Sequence, residues 1–205
     1  MGPRRLHGFV DGVFAIAATL LVLDLPRPEH SARLAHDLVH QWPSYAAYVI
    51  SFVTIGILWI EHHGMMSNVE RIDKRFLERT LLFLLFAAII PWPTAIAAEY
   101  ARSSHGEART AAVLYASIML CIALAHTESW RYLSRHLELV AEPARPAVPA
   151  GLLRAFLGGV PYLCAIVVAF VSPYASFALD ALVALYFGVS RTEVPGLIYR
   201  ANADR

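Results

Sequence analysis

Long uncharged runs alternate with short charged segments along this chain, and the runs have the length that a lipid bilayer sets. A spanning helix needs about twenty mostly apolar residues. Reading for such runs predicts six helices, at approximately 6–25, 41–63, 78–98, 108–127, 154–171 and 174–190. The first run is free of charge from Val13 to Leu23 but has Asp11 before it and Asp24 after it. The second is uncharged from Gln41 to Ile60 and closes with Glu61-His62-His63; the third closes at Glu99, and the fourth carries His126 near its end. The fifth and sixth form one stretch too long for a single helix, and Ser172-Pro173 divides it. A proline removes a backbone donor and breaks a helix, so this dipeptide predicts a tight hairpin between two short spans.

The connections are read in the same way. Pro26–His40 has room for a short interfacial helix, with Ser31 as its N-cap and Leu34, Leu38 and Val39 as its apolar stripe. Leu137–Ala150 holds Pro143, Pro146 and Pro149 and reads as a semi-rigid linker. Arg191–Arg205 is a polar tail expected to fray. The whole chain, 1–205, is read as one six-helix transmembrane domain with no soluble domain and no internal repeat.

Composition strengthens this picture. Of 205 residues, 58% are hydrophobic and 16% charged, with a mean hydropathy of +0.52. A soluble domain carries about 25% charged residues, so the deficit marks an integral, multi-pass membrane protein with lipid as its surroundings. The near-neutral balance invites no nucleic-acid partner. Arg4 and Arg5 resemble the start of a signal peptide, but Asp11 breaks the apolar core that such a peptide requires. Cys121 and Cys164 both fall in apolar runs and are expected to be buried, without a disulfide.

Charge also orients the bundle. With six spans and an inward N-terminus, the inner segments hold thirteen of the seventeen basic residues, and the outer loops hold Arg27, Arg33, Arg102 and Arg109. The positive-inside rule then places both termini in the cytoplasm.

Candidate chemistry concentrates in the first helix. Residues at i, i+3, i+4 and i+7 share a helix face, which groups Ile16, Thr19, Leu20 and Leu23. If several copies of this helix surround an axis, the face becomes two apolar rings with a hydroxyl ring between them, and apolar rings gate pores by dewetting. Asp11 and Asp24 would then draw cations to the two mouths. The same face serves equally well for packing against neighbouring helices.

A motif separates these readings. Arg5-x-x-x-Phe9-Val10-Asp11-Gly12, followed by Ala15-Ile16-Ala17-Ala18-Thr19-Leu20, resembles the first helix of the transmembrane protein 175 family, whose pattern is Arg-x-x-x-Phe-Ser-Asp-Gly and an Ala-Ile-x-x-Thr-like run. Trp59-Ile-Glu-His62 is similar to the family's Trp-x-x-His on the second helix, and Pro91-Trp92-Pro93-Thr94 to its Pro-aromatic-x-Thr on the third. The resemblance implies an all-α potassium channel of the prokaryotic form: a homotetramer of six-helix subunits in a prokaryotic inner or plasma membrane. First helices would line a central pore permeable to K+ and other monovalent cations, with no cofactor. By position, Ile16 would be the main constriction, Thr19 the next layer and Leu23 the outer one. Arg5, Phe9, Asp11 and Gly12 form the pore-helix motif, supported by Trp59 and His62. The family's Ser is Val10 here, so the hydroxyl expected to serve Arg5 and Asp11 is absent and they depend on other partners. No Thr-Val-Gly-Tyr-Gly filter is present; Thr54-Ile55-Gly56 sits in mid-helix.

The remaining polar residues have more than one reading. Asp11 is expected to pair with Arg5 or His62, either as a structural ion pair or as a pH-responsive cluster. His62 and His63 lack the i, i+4 spacing of a helical metal site, so no metal is expected. His30, His36 and His40 are expected in solvent, and Trp42, Trp92, Tyr45 and Tyr48 in interfacial belts. Asp180 is a second intramembrane carboxylate for which the sequence names no partner; it would face a water-filled crevice or cap a helix near Pro173. No nucleophile–base pair supports an enzyme. A proton-coupled transporter using Asp11, His62 and Asp180, and a non-conducting structural membrane protein, are the alternatives to a channel.

Overall fold

Eight α-helices account for nearly all of the computed structural model, which describes residues 3–28 and 33–189. They are α1 Pro3–Leu20, α2 Leu34–His40, α3 Trp42–Met66, α4 Lys74–Ala88, α5 Pro91–Tyr100, α6 His105–Arg135, α7 Val148–Ala169 and α8 Pro173–Val189. Five stretches are long and apolar enough to cross a membrane: Arg5–Asp24, Trp42–Met66, Lys74–Tyr100, His105–Arg135 and Glu142–Ala169. The segment expected as a sixth span is α8, a shorter apolar helix. Ser31, His30 and the Arg191–Arg205 tail lie outside the described residues.

The outside of the bundle is apolar, as lipid demands. Leu81, Leu82 and Leu85 on α4, and Leu153, Phe156, Leu157, Val160, Leu163 and Val167 on α7, all face outward. Once helices are in lipid, apolar area no longer drives them together; close packing and interhelical hydrogen bonds do. The central helix α6 is built for that. It buries Ala108, Ala111, Ala112, Ala116 and Ala125, small residues that let α7 run along much of its length and let α4, α5 and α8 approach. Gly159 of α7 adds to the fit, since a Cβ there would meet Ala123 Cβ at 3.5 Å.

Local chemistry sets the helix ends. Asp73 caps α4 by accepting from the Phe76 amide at 2.7 Å. Ser104 and Glu107 form a reciprocal capping box at the start of α6. Ser172 accepts from the Ala175 amide at 3.3 Å and starts α8 at Pro173, which makes the expected hairpin.

Three expectations need correction. The span read as 78–98 falls within one apolar stretch, Lys74–Tyr100, but it is not one unbroken helix: α4 stops at Ala88 and α5 starts at Pro91, because Pro91 has no N–H to continue the ladder. The Leu137–Ala150 segment is not an open linker. It folds into 3₁₀ turns at Leu137–Leu139 and Glu142–Ala147, and it docks on the end of α3 through Glu70 N–H to Leu139 O at 2.9 Å and Ala141 N–H to Asn68 O at 3.0 Å. The helix after it therefore begins at Val148, not near 154. Cys164 is exposed on α7 rather than buried, and Cys121 is half-buried; neither forms a disulfide.

This docking gathers one end of the bundle. The start of α1, the end of α3, the start of α4 and the end of α6 meet there: the His7 and His63 rings lie 5.9 Å apart, and the Tyr132 hydroxyl donates to Asp73 Oδ2. Arg79 lies over the Tyr132 ring at 4.2 Å. At the other end, α2 reaches α3, and Arg102 donates to the His40 carbonyl at 2.8 Å.

Candidate pore-lining site

The first helix has two faces with opposite fates. Leu6, Val10, Phe14 and Ala17, with Leu21 just beyond, are buried; they recur every three or four residues and pack against α3 and α4. Phe14 meets Phe83 of α4, with ring centroids 5.9 Å apart. The opposite face holds Phe9, Gly12, Ile16, Thr19, Leu20 and Leu23, and it turns away from the chain's own core. Ile16 and Leu23 are 61% and 64% exposed.

Between the two apolar residues, Thr19 Oγ1 donates back to its own helix, with Ala15 O at 3.0 Å and Ile16 O at 2.9 Å. Its proton is thus spent inward, and the outward side of the oxygen presents lone pairs. That polarity suits a cation. After Leu20 the chain tightens into a 3₁₀ turn, Leu21–Asp24. The rise per residue is greater in such a turn. The rise from Ile16 to Leu23 becomes about 12 Å rather than the roughly 10.5 Å of a continuous α-helix.

Asp11 is exposed near the start of this face, and Trp59 Nε1 of α3 donates to its Oδ1 at 2.8 Å. This corrects the expected pairing with Arg5 or His62. Arg5 is exposed and makes no ion pair with Asp11. His62 is fully buried, stacked on Phe83 at 4.7 Å, with neither ring nitrogen hydrogen-bonded. Its neighbour His63 is the one beside Trp59, at 5.6 Å between rings. Val10, the departure from the family's Ser, lies in the buried stripe at 3% exposure, where a branched apolar side chain packs without needing a partner.

The third motif residue, Thr94, ties helices together: its hydroxyl reaches Ser51 Oγ of α3 at 2.8 Å and Ile90 O at 2.8 Å. Thr54–Gly56 is ordinary helix inside α3, with Thr54 bonded to Ile50 O. Trp42 and Trp92 are exposed, as belts require; His36 and His40 are exposed as well. Among the described residues no three His, Cys, Asp or Glu side chains gather as a metal site.

A multi-pass helical membrane protein that anchors one face of its first helix and leaves an apolar, hydroxyl-bearing face free has the construction of a pore-forming subunit. Comparison with known proteins places it more narrowly. A family model described as endosomal/lysosomal potassium channel TMEM175 matches residues 5–91. A potassium channel of Streptomyces collinus is 42% identical over 93% of this chain and 94% of its own length. A potassium channel of Chamaesiphon minutus is 37% identical over 90% of this chain and 93% of its own. The crystal structure of a lysosomal potassium-selective channel TMEM175 homologue from that organism superposes with a TM-score of 0.84 at 34% identity, covering 93% of this chain and 98% of that one. The chain belongs to the TMEM175 family.

Proposed function

We propose that this protein is a potassium-permeable cation channel, and that four copies surround a central pore lined by α1. The observation that carries this reading is the division of α1 into an anchored face and a free one: Ile16, Thr19 and Leu23 occupy the free face, about 12 Å from end to end. In a four-fold arrangement Ile16 forms the main constriction, Thr19 the hydroxyl layer above it and Leu23 the outer apolar ring. Selectivity and gating then depend on layered side chains, with dewetting at the apolar rings. Asp11 and Asp24 supply negative charge at the two mouths.

Arg5, Phe9, Asp11 and Gly12 set the position of the pore helix, with Trp59 holding Asp11 and His62 packing the second layer behind it. The chain is one domain, 1–205, with α8 as a sixth, short crossing. Both termini lie in the cytoplasm of a bacterium and the channel in its plasma membrane, as the bacterial sources of its relatives and the excess of basic residues at one end support.

The test is reconstitution of the purified protein in liposomes, with K+ flux and reversal potentials measured for wild type and Ile16→Asn, and with subunit number read by cross-linking. Flux from a tetramer, altered in conductance or selectivity by Ile16→Asn, is the expected result. A folded tetramer without flux overturns the proposal, as does saturable, substrate-coupled uptake of the kind a transporter gives.

A further inference from the structure

We propose that the cleft between α3, α5, α6 and α8, floored by Asp180, is a binding site for a small organic ammonium ion. The cleft has a volume of about 230 Å³; a cavity of roughly 150 Å³ already holds benzene, so a tetramethylammonium or benzylammonium ion fits. No residue of α1 lines it, and no step of ion conduction proposed above uses it.

Asp180 is the first reason. It is 5% exposed, and neither carboxylate oxygen has a hydrogen-bond partner. The polar neighbours are already engaged. The Thr94 hydroxyl reaches Ser51 Oγ, and Ser51 and Tyr115 share a hydrogen bond at 3.3 Å, so this chain of hydroxyls satisfies itself. Arg102, at the rim, is held by the His40 carbonyl and by His40 Nδ1 at 2.9 Å, with its guanidinium 5.6 Å from the Trp42 ring. As an anion, a buried carboxylate with no internal donor is costly; it is relieved either by taking up a proton or by a cation that enters the cleft, and the second is the state proposed here.

The walls decide which cation. Tyr115, Tyr174 and Phe177 line the cleft beside Trp42, whose ring already meets Arg102, and aromatic faces attract quaternary and primary ammonium groups. Alanines of α3 and α5 fill much of the remaining surface. A metal ion needs several oxygen or nitrogen ligands to replace its hydration shell; besides Asp180 the cleft offers only the hydroxyls of Ser51, Thr94 and Tyr115, which are bonded to one another. An organic ammonium brings its own apolar body to the apolar wall and one positive charge to Asp180.

The experiment uses the full chain in lipid nanodiscs at fixed K+. Tetramethylammonium and benzylamine are titrated at pH 7.5 by calorimetry and by tryptophan fluorescence, with benzyl alcohol as the neutral analogue. Saturable binding of the ammonium ions, at least tenfold tighter than benzyl alcohol and weakened at least tenfold in Asp180→Asn, is the expected result. Ala98→Phe, which fills the cleft and leaves the carboxylate in place, must also abolish binding; it carries the test if Asp180→Asn does not fold. Absence of saturable binding in wild type overturns the proposal. So does binding unchanged in Asp180→Asn, and so does binding that is lost only in Ile16→Asn, which would put the amine in the pore.

Discussion

Trp59 of α3 donates its indole N–H to Asp11 of α1 at 2.8 Å, and this single bond links the motif carboxylate to the neighbouring helix. It fixes rotation as well as position, because Asp11 lies on the edge of α1 between the buried stripe and the free face. Trp59→Phe keeps the ring and removes the donor. We expect a loss of about 1 kcal/mol in stability, the ordinary net value of such a bond at an exposed site, read as a lower melting temperature in detergent. K+ flux in liposomes should fall by more than that loss of folded protein explains, since the buried stripe then sets the rotation of α1 without this bond.

Thr19 gives a cleaner test of the pore lining, because it is exposed and its hydroxyl bonds only to its own helix. Thr19→Val keeps the shape and deletes the oxygen; Thr19→Ser keeps the oxygen. Both should stay within about 0.5 kcal/mol of wild type in stability, as surface substitutions do. K+ flux should drop severalfold in Thr19→Val and be retained in Thr19→Ser. Equal flux in all three proteins removes Thr19 from the ion path.

Asp73 makes stability depend on acid. Burial pushes its carboxyl up, but the Tyr132 hydroxyl and the Phe76 amide both bond to the charged form and prevail, holding it below its ordinary value of 3.8. A lowered folded value means stability that is fully present above about 3.8 and is lost as pH falls through the folded value. Melting measured from pH 6 to pH 2 should therefore decline below about pH 4. Asp73→Ala should start about 1 kcal/mol lower at neutral pH, from the lost helix cap, and show a flatter acid limb.

Gly151 has no room for a side chain. A Cβ there would lie 2.6 Å from the Trp130 ring, and that ring is held by its indole N–H bond to His126 Nε2 at 3.2 Å. Gly151→Ala should cost about 1–3 kcal/mol, the range for overpacking, despite alanine's better helix propensity. Trp130→Leu in the same chain should recover part of the loss; a melting series on the two single variants and the double variant measures this.

Much of α1 was readable from its sequence, because period and burial agree: Leu6, Val10 and Phe14 fall on one side, Ile16, Thr19 and Leu23 on the other. What escaped reading depended on contacts between distant segments. Asp11 found Trp59 rather than Arg5 or His62 because the rotation of α3 about its axis is set by packing on α1, α5 and α8, not by its own pattern. The Pro-rich 137–150 segment looked open because composition favours extended chain, yet Val140 pairs with Val69, some seventy residues away in sequence. The break between α4 and α5 did carry a local signal, Pro91 itself, within a run whose hydropathy is otherwise continuous.

That break has a mechanical meaning. The helical turns of α1 rest chiefly on α3 and α4, while α5 takes hold of the Leu21–Asp24 turn. One crossing therefore grips the first helix at two places through a joint at Ile89–Ile90. A displacement of α5 would act first on the Leu23 end of the stripe, while α4, packed on Phe14 through Phe83, and α3, which touches both parts of the first helix, would hold the turns below it. Ile16 lies between Phe14, which meets α4, and the turn that α5 touches.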